Sequence, residues 1–357
     1  MNHWPDHRIQ ELLGMELPII QAPMAGANLS AMAVAVSEAG GLGSLPCAML
    51  SADQFRAELE SIRRQTSRPI NVNFFCHQPP AVDAQRDFVW QQRLAKYYVE
   101  LGLDAQAPLP STSRRPFDAA ACDLVEQFKP EVVSFHFGLP DPALLARVKA
   151  SGAKILSSAT TVDEALWLER RGCDAIVAQG SEAGGHRGMF LTSDITTQAG
   201  TMALVPQIVD AVKVPVIASG GIADARGIVA AFALGAAAVQ LGTAYLLCPE
   251  ATLSAVHQQA LKNVKDDGTA LTNVFSVRPA RGIVNRLIRE VGPMSPLAPP
   301  FPLASSAIAP LRKQSEATGS EDFAQMWSGQ AGRLCRELPA GELTRQLAAE
   351  TLSIIDG

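Results

Sequence analysis

Charge is what this 357-residue chain has little of: Asp, Glu, Lys and Arg together make up 18%, and the net charge is −5. No lysine- or arginine-rich block stands out, which excludes the basic face of a nucleic-acid binder and the polybasic patch of a membrane-surface protein. The six cysteines are scattered without any Cys-x-x-Cys, and His-Glu-x-x-His is absent. That usage excludes a disulfide framework and the common zinc sites, so a metal-free protein of a reducing compartment is expected. The segment Met1–Arg8 lacks the charged-then-apolar pattern of a signal peptide, which makes the cytoplasm the expected location. One uncharged run, 227–249, is long enough to mimic a membrane span. Gly227, Gly235, Gln240, Gly242 and Pro249 punctuate it, and it reads instead as a helix (228–234) followed by a strand (237–241).

What the chain does have is alternation. Strand-like runs at 18–23, 42–46, 70–75, 132–137, 154–158, 175–180, 214–219 and 237–241 are separated by segments of helical periodicity, among them 28–39, 51–65, 162–171, 203–212 and 224–234. Eight strands with helical crossovers predict an α/β fold, a (β/α)8 TIM barrel. Two stretches break the repeat: an excursion at 76–118, with a helix near 84–100, and a proline-rich stretch after the eighth strand. The expected organisation is a barrel formed by 1–250 and 318–357, with a small substrate-side cap at 251–317 and a closing helix near 320–336.

Strand parity predicts what points into the barrel mouth, where such barrels build their sites. Asn71 and Asn73 share one face of the third strand, and Ser134 and His136 share one face of the fourth. Gln21, Gln179 and Gln240 sit near the ends of the first, sixth and eighth strands. One inward amide often only satisfies neighbouring backbone, and His136 alone could be a core histidine. Five strands ending this way describe a polar, uncharged pocket suited to a heterocycle.

The sixth strand runs into Gln179-Gly-Ser-Glu-Ala-Gly-Gly-His-Arg-Gly188. Gly184, Gly185 and Gly188 let backbone pass close to a ligand, His186 can exchange protons near neutral pH, and Arg187 can hold an anion. Gly220-Gly221, opening a helix after the seventh strand, and Gly242-Thr243 after the eighth offer backbone N–H groups to a phosphate. The alternative for the glycine pair is tight helix–strand packing.

Gln21-Ala-Pro-Met24, Asn71-Val-Asn-Phe-Phe-Cys-His77, Val133-Ser-Phe-His-Phe-Gly138, the Gln179–Gly188 loop and Gln240-Leu-Gly-Thr-Ala-Tyr-Leu-Leu-Cys-Pro-Glu250 resemble the nitronate monooxygenases, formerly 2-nitropropane dioxygenases, class I. Ala280-Arg-Gly282, Asn285-Arg286 and Met326-Trp-Ser-Gly-Gln330 extend the resemblance over nearly the whole chain. It implies a flavin mononucleotide (FMN) barrel that oxidises alkyl nitronates with O2 to carbonyl compounds and nitrite. It also implies that Pro23, Met24, Asn73, Gln179, Gly184, Gly185, Gly220, Gly221, Gln240, Leu241, Gly242 and Thr243 bind FMN, with His186 and His136 as the pocket histidines. Beyond the nitronate and O2 no partner is implied, and the oligomeric state stays open, a homodimer included.

Where some class I relatives carry Tyr-Pro-x-x-Tyr-x-x-x-Lys, this chain has Phe301, Pro302, Ser305 and Ala309. That departure predicts a substrate less polar than propionate 3-nitronate. Two other readings remain at this point. One is an NAD(P)H-dependent FMN reductase acting on quinones or enoyl thioesters, and the other is a non-catalytic barrel that binds FMN or another phosphate ligand.

Overall fold

The computed structural model describes residues 4–78, 83–105, 107, 110, 115–276, 278–299 and 304–357. Eight parallel strands, Ile19–Gln21, Gly43–Pro46, Ile70–Phe75, Val132–His136, Lys154–Ala159, Ala175–Gln179, Val216–Ser219 and Ala238–Leu241, form a nearly closed TIM barrel with helices between them. The last strand returns to the first, pairing Ile20 with Gln240. The seam between the first and second strands holds only one bridge, Ile20 to Leu42. Gln21 reinforces it: Ser44 N–H donates to Gln21 Oε1 at 2.9 Å, and Gln21 Nε2 donates to the Ala22 carbonyl.

Side-chain alternation sorts each strand into two environments. Val72, Phe74, Val133, Phe135, Ile176, Ala178, Val239 and Leu241 face outward into the layer shared with the helices. Ile20, Leu42, Val132, Leu156, Val177 and Ile217 face inward and fill the amino-terminal end of the barrel. The helix Arg8–Leu13 plugs that end with Ile9 and Leu13. An apolar plug below leaves the carboxyl ends of the strands as the open face.

The helix Ala52–Gln65 begins where the sequence predicts, because Ser51 and Gln54 form a reciprocal capping box. The uncharged run 227–249 resolves into the end of helix Ala225–Ala233, the strand Ala238–Leu241 and a 3-10 turn, Thr243–Tyr245. No described helix is long and apolar enough to cross a membrane.

The closing helix is not near 320–336. That segment holds only a 3-10 turn, Gly332–Leu334, and the closing helix is Ala340–Ile355. Gly329 and Gly332 weaken helix formation there, and the apolar side chains serve two cores: Phe323 joins one, Ala324 and Met326 another.

Outside the barrel, the helices Ala84–Glu100 and Ala304–Ala317 pack on each other through Trp90, Tyr98, Ala307 and Leu311, and Tyr98 donates to the Ala307 carbonyl at 2.7 Å. A three-stranded antiparallel ladder not expected from the sequence joins Thr269–Thr272, Ala280–Ile283 and Gly185–His186.

Gly43 marks a contact that only glycine permits, since a Cβ there would lie 1.9 Å from the Ala33 carbonyl oxygen of the helix Ser30–Glu38. Gly43→Ala is expected to destabilise the barrel by roughly 1–3 kcal/mol or more, the cost of overpacking a filled interior. A urea unfolding midpoint equal to that of the unsubstituted protein would refute that.

Candidate functional site

A cavity of about 510 Å³ opens at the carboxyl ends of the strands, within the usual range for cofactor and substrate sites. Asn73, Ser134, His136, Ser158, Gln179, Ser219 and Gln240 bring polar groups to it from the strands. Pro23 and Met24 border it after the first strand, Gly184, Gly185 and His186 after the sixth, Gly220 and Gly221 after the seventh, and Gly242 and Thr243 after the eighth. Leu241 is the one residue from the proposed set that stays outside: parity turns its side chain into the barrel–helix layer, leaving its carbonyl to accept from Ala22 N–H at 2.8 Å. Gln21 is likewise spent on the seam, and Asn71 donates to Ser44 Oγ at 3.0 Å in the interior below.

The loop from Gln179 to Gly188 is held by its own ends. Gln179 Oε1 accepts from Gly188 N–H at 2.7 Å, and Gln179 Nε2 donates to the His186 carbonyl at 2.9 Å. That carbonyl also lies 3.1 Å from His136 Nε2, so Nε2 carries the proton. His136 Nδ1, 3.0 Å from Ser158 Oγ, then accepts from the hydroxyl. With both nitrogens engaged, His136 sets the loop's position. Burial pushes its pKa down to about 4, so it is neutral at physiological pH.

The same loop corrects the expectation for Arg187. Its side chain is fully buried and donates to the Gln179 and Gly180 carbonyls and to Gln198 Oε1. It braces the loop from beneath and offers nothing to an anion in the cavity. The reason is geometric: Gly185–His186 is a strand of the side ladder, so neighbouring side chains point to opposite sides. His186 faces Phe75, Phe137 and Trp327 at ring distances of 5.5 to 6.0 Å, and its Nε2 lies 2.8 Å from the buried Ser276 Oγ. No sequence signal marked Ser276.

The glycine turns form an anion nest. Gly220 and Gly221 take φ of 115° and 71°, conformations that L side chains avoid. The N–H groups of Gly221, Ile222, Gly242 and Thr243 have no acceptor among the described residues. The helix Ala225–Ala233 plays a smaller part than expected, because Asp224 caps it, accepting from Arg226 and Gly227 N–H. The backbone turns, not the helix terminus, present the N–H groups that could cradle an anion. Among the described residues, no cluster of His, Cys, Asp and Glu is arranged to hold a metal.

Comparison with known proteins adds to this geometry. The nitronate monooxygenase family model matches residues 6–350. A Pseudomonas aeruginosa protein described as a nitronate monooxygenase is 42% identical over 96% of this chain and 98% of its own length. One from Paraburkholderia phytofirmans, with the same description, is 41% identical over 97% and 95%. Among solved structures, a nitroalkane oxidase from Streptomyces ansochromogenes superimposes with a TM-score of 0.89 at 38% identity, covering 98% of this chain and 99% of that one. FabK from Thermotoga maritima gives 0.72 at 25% identity, covering 98% and 97%.

A pH dependence follows from two histidines, His136 on the cavity and the buried His257, whose pKa values desolvation lowers. His257, whose Nε2 donates to the Trp327 carbonyl at 3.1 Å, is also pushed down to about 4 by burial. An unfolded chain takes up these protons below its ordinary pKa of about 6.5, whereas the native state resists until about 4. Stability is therefore complete above that window and falls as pH drops through it, by on the order of 3 kcal/mol for each histidine at its foot. Urea unfolding at stepped pH values checks this, and His257→Gln should remove part of the slope; equal stability at both ends of the window would contradict it.

Proposed function

The chain belongs to the nitronate monooxygenase family, and from that premise we propose that it uses bound FMN and O2 to convert alkyl nitronates into carbonyl compounds and nitrite. The observation that carries this reading is one cavity that joins an uncharged, hydrogen-bonding strand-end surface to a nest of free backbone N–H groups. A phosphate-bearing heterocycle has both needs. Gly221, Ile222, Gly242 and Thr243 would hold the phosphate through N–H groups, while Asn73, Gln179 and Gln240 would edge the ring system and Pro23 and Met24 would flank it. FMN, when bound, supplies the electron acceptor for the nitronate and the site of reaction with O2.

The chain's own contribution centres on His186. A hydrogen bond from its ring would fix the nitronate oxygens and stabilise their charge. With a neutral nitroalkane, the same ring would take the α-proton as general base. Ser276 Oγ, through Nε2, fixes the ring's orientation. Phe75, Phe137 and Trp327 exclude water around it, which strengthens any charge interaction made there. Asn73, whose amide donates to Ser134 Oγ at 2.9 Å, is pre-oriented in the same way.

The primary test is the visible spectrum of the purified protein, followed anaerobically with a nitronate and separately with NADH. A flavin spectrum that responds to nitronate alone supports the proposal; a colourless protein that cannot be loaded with FMN, or bleaching by NADH alone, defeats it. Gly242→Asp addresses the cradle. Its φ is ordinary and a Cβ would meet only Ala22 Cβ at 3.4 Å and Met24 Sδ at 3.6 Å, so the fold accommodates the change. A carboxylate there should repel the phosphate and leave the protein largely flavin-free, whereas full occupancy would rule the cradle out. His186→Asn should retain FMN yet lower the rate of flavin reduction by nitronate by on the order of 100-fold, and an unchanged rate removes the histidine from the chemistry.

A further inference from the structure

Among the described residues, the cavity lining contains no Asp, Glu or Lys, and Arg312 is the one arginine in it. It lies on the helix Ala304–Ala317, in helical succession with Ser305 and Ala309, both of which line the same wall. Phe301 and Pro302, the other two positions of the departure from the family pattern, fall outside the described residues. The buried and half-buried arginines around the site are committed elsewhere: Arg187 to three oxygens of its own loop region, Arg278 to the Met189 carbonyl at 2.9 Å and Arg281 to the Ser181 carbonyl at 2.9 Å. Arg312, exposed at the mouth, has no carboxylate or carbonyl partner among the described residues.

A second observation points to the same wall. Gln325 also lines the cavity, and its Nε2 is buried with no hydrogen-bond acceptor. A buried amide donor left unpaired costs about as much as a lost hydrogen bond, and so calls for an acceptor from a ligand. An unpaired cation and an unpaired donor thus both line the part of the cavity not built by strand ends. Cavity walls of low dielectric focus the field of a charge at the mouth, so one guanidinium there acts more strongly than on an open surface.

We propose that Arg312, aided by Gln325, draws the anionic substrate into the cavity and is what makes the ionised nitronate preferred over its neutral nitroalkane acid, the nitronate oxygens then passing to His186. This rests on the function proposed above and assigns its charge selectivity to named residues. It also revises the expectation of a less polar substrate: the ammonium missing at Ala309 is answered by a guanidinium one turn further along the helix.

Nitrate, a planar oxyanion like the nitronate head, is the probe. In calorimetry, Arg312→Met should weaken nitrate binding by about tenfold, Arg312→Lys should restore most of it, and Gln325→Leu should weaken it severalfold. In turnover, Arg312→Met should lower the ratio of kcat/KM for 2-propyl nitronate over 2-nitropropane by about tenfold, with the change mainly in KM. Nitrate binding unaltered by Arg312→Met, or an equal loss toward both substrates, overturns the proposal. So does loss of flavin from Arg312→Met, which would assign the cation to the cofactor's phosphate. Failure of the parent function is separately visible as an unsubstituted protein that fails to oxidise nitronate, while nitrate calorimetry still reports on Arg312.

Discussion

The site depends on one carbonyl oxygen, that of His186. It accepts from Gln179 Nε2 and from His136 Nε2, and through those bonds the loop after the sixth strand is fastened to the ends of the fourth and sixth strands. A loop turned into a cavity carries backbone groups that water cannot reach, and each unpaired one would cost about 1–3 kcal/mol. Gln179 answers at both ends of the loop, and Arg187 caps the Gln179 and Gly180 carbonyls from below. The imidazole of His186 is thus carried on a fixed backbone, with Ser276 Oγ at its Nε2. The cost of this arrangement falls on His136, which must stay neutral, and it ties the integrity of the site to the proton uptake that threatens the fold in mild acid.

The barrel separates support from chemistry by height. Inward residues near the amino-terminal end are aliphatic and meet the plug from the first helix, whereas inward residues near the carboxyl end are amides, hydroxyls and imidazoles. Interior packing below makes the strand ends rigid, so the polar groups above are held in place without ion pairs. That is why a chain poor in charge can build a polar cavity. Neutral donors and acceptors can be buried once each is paired, while buried charges would demand partners that compete with a ligand.

Much of this was legible because strands have a period of two. The eight strand positions, the inward set Asn73, Ser134, His136, Gln179 and Gln240, and the glycine turns at 220–221 and 242–243 follow from parity and turn chemistry alone. Parity misleads where a strand's exact register and height in the barrel are unknown: Gln21 follows the inward Ile20 and turns to the seam, and Asn71 lies a layer too deep. Arg187 could have been separated from His186 by the same alternation, had the loop been recognised as a strand of the side ladder. Leu241 shows the complementary case: its side chain faces away from the cavity, which leaves only its backbone to serve a ligand. The closing helix was displaced because apolar spacing does not reveal that neighbouring side chains serve different cores.

Arg312, Gln325 and Ser276 were invisible for a different reason. Each lies in a segment after the eighth strand with no repeat to set its orientation, and Arg312 reaches the site on the helix Ala304–Ala317, which shares a core with Ala84–Glu100. The barrel offers a neutral surface that any FMN-like heterocycle could use, so the groups that distinguish substrates must come from whatever covers the mouth. A wall built from a separately packed pair of helices can change its charge without disturbing the strand ends. In this chain the described part of that wall carries Ser305, Ala309 and the guanidinium of Arg312, a composition suited, on the proposal above, to reading the sign of a substrate's charge more than its hydrogen-bonding pattern.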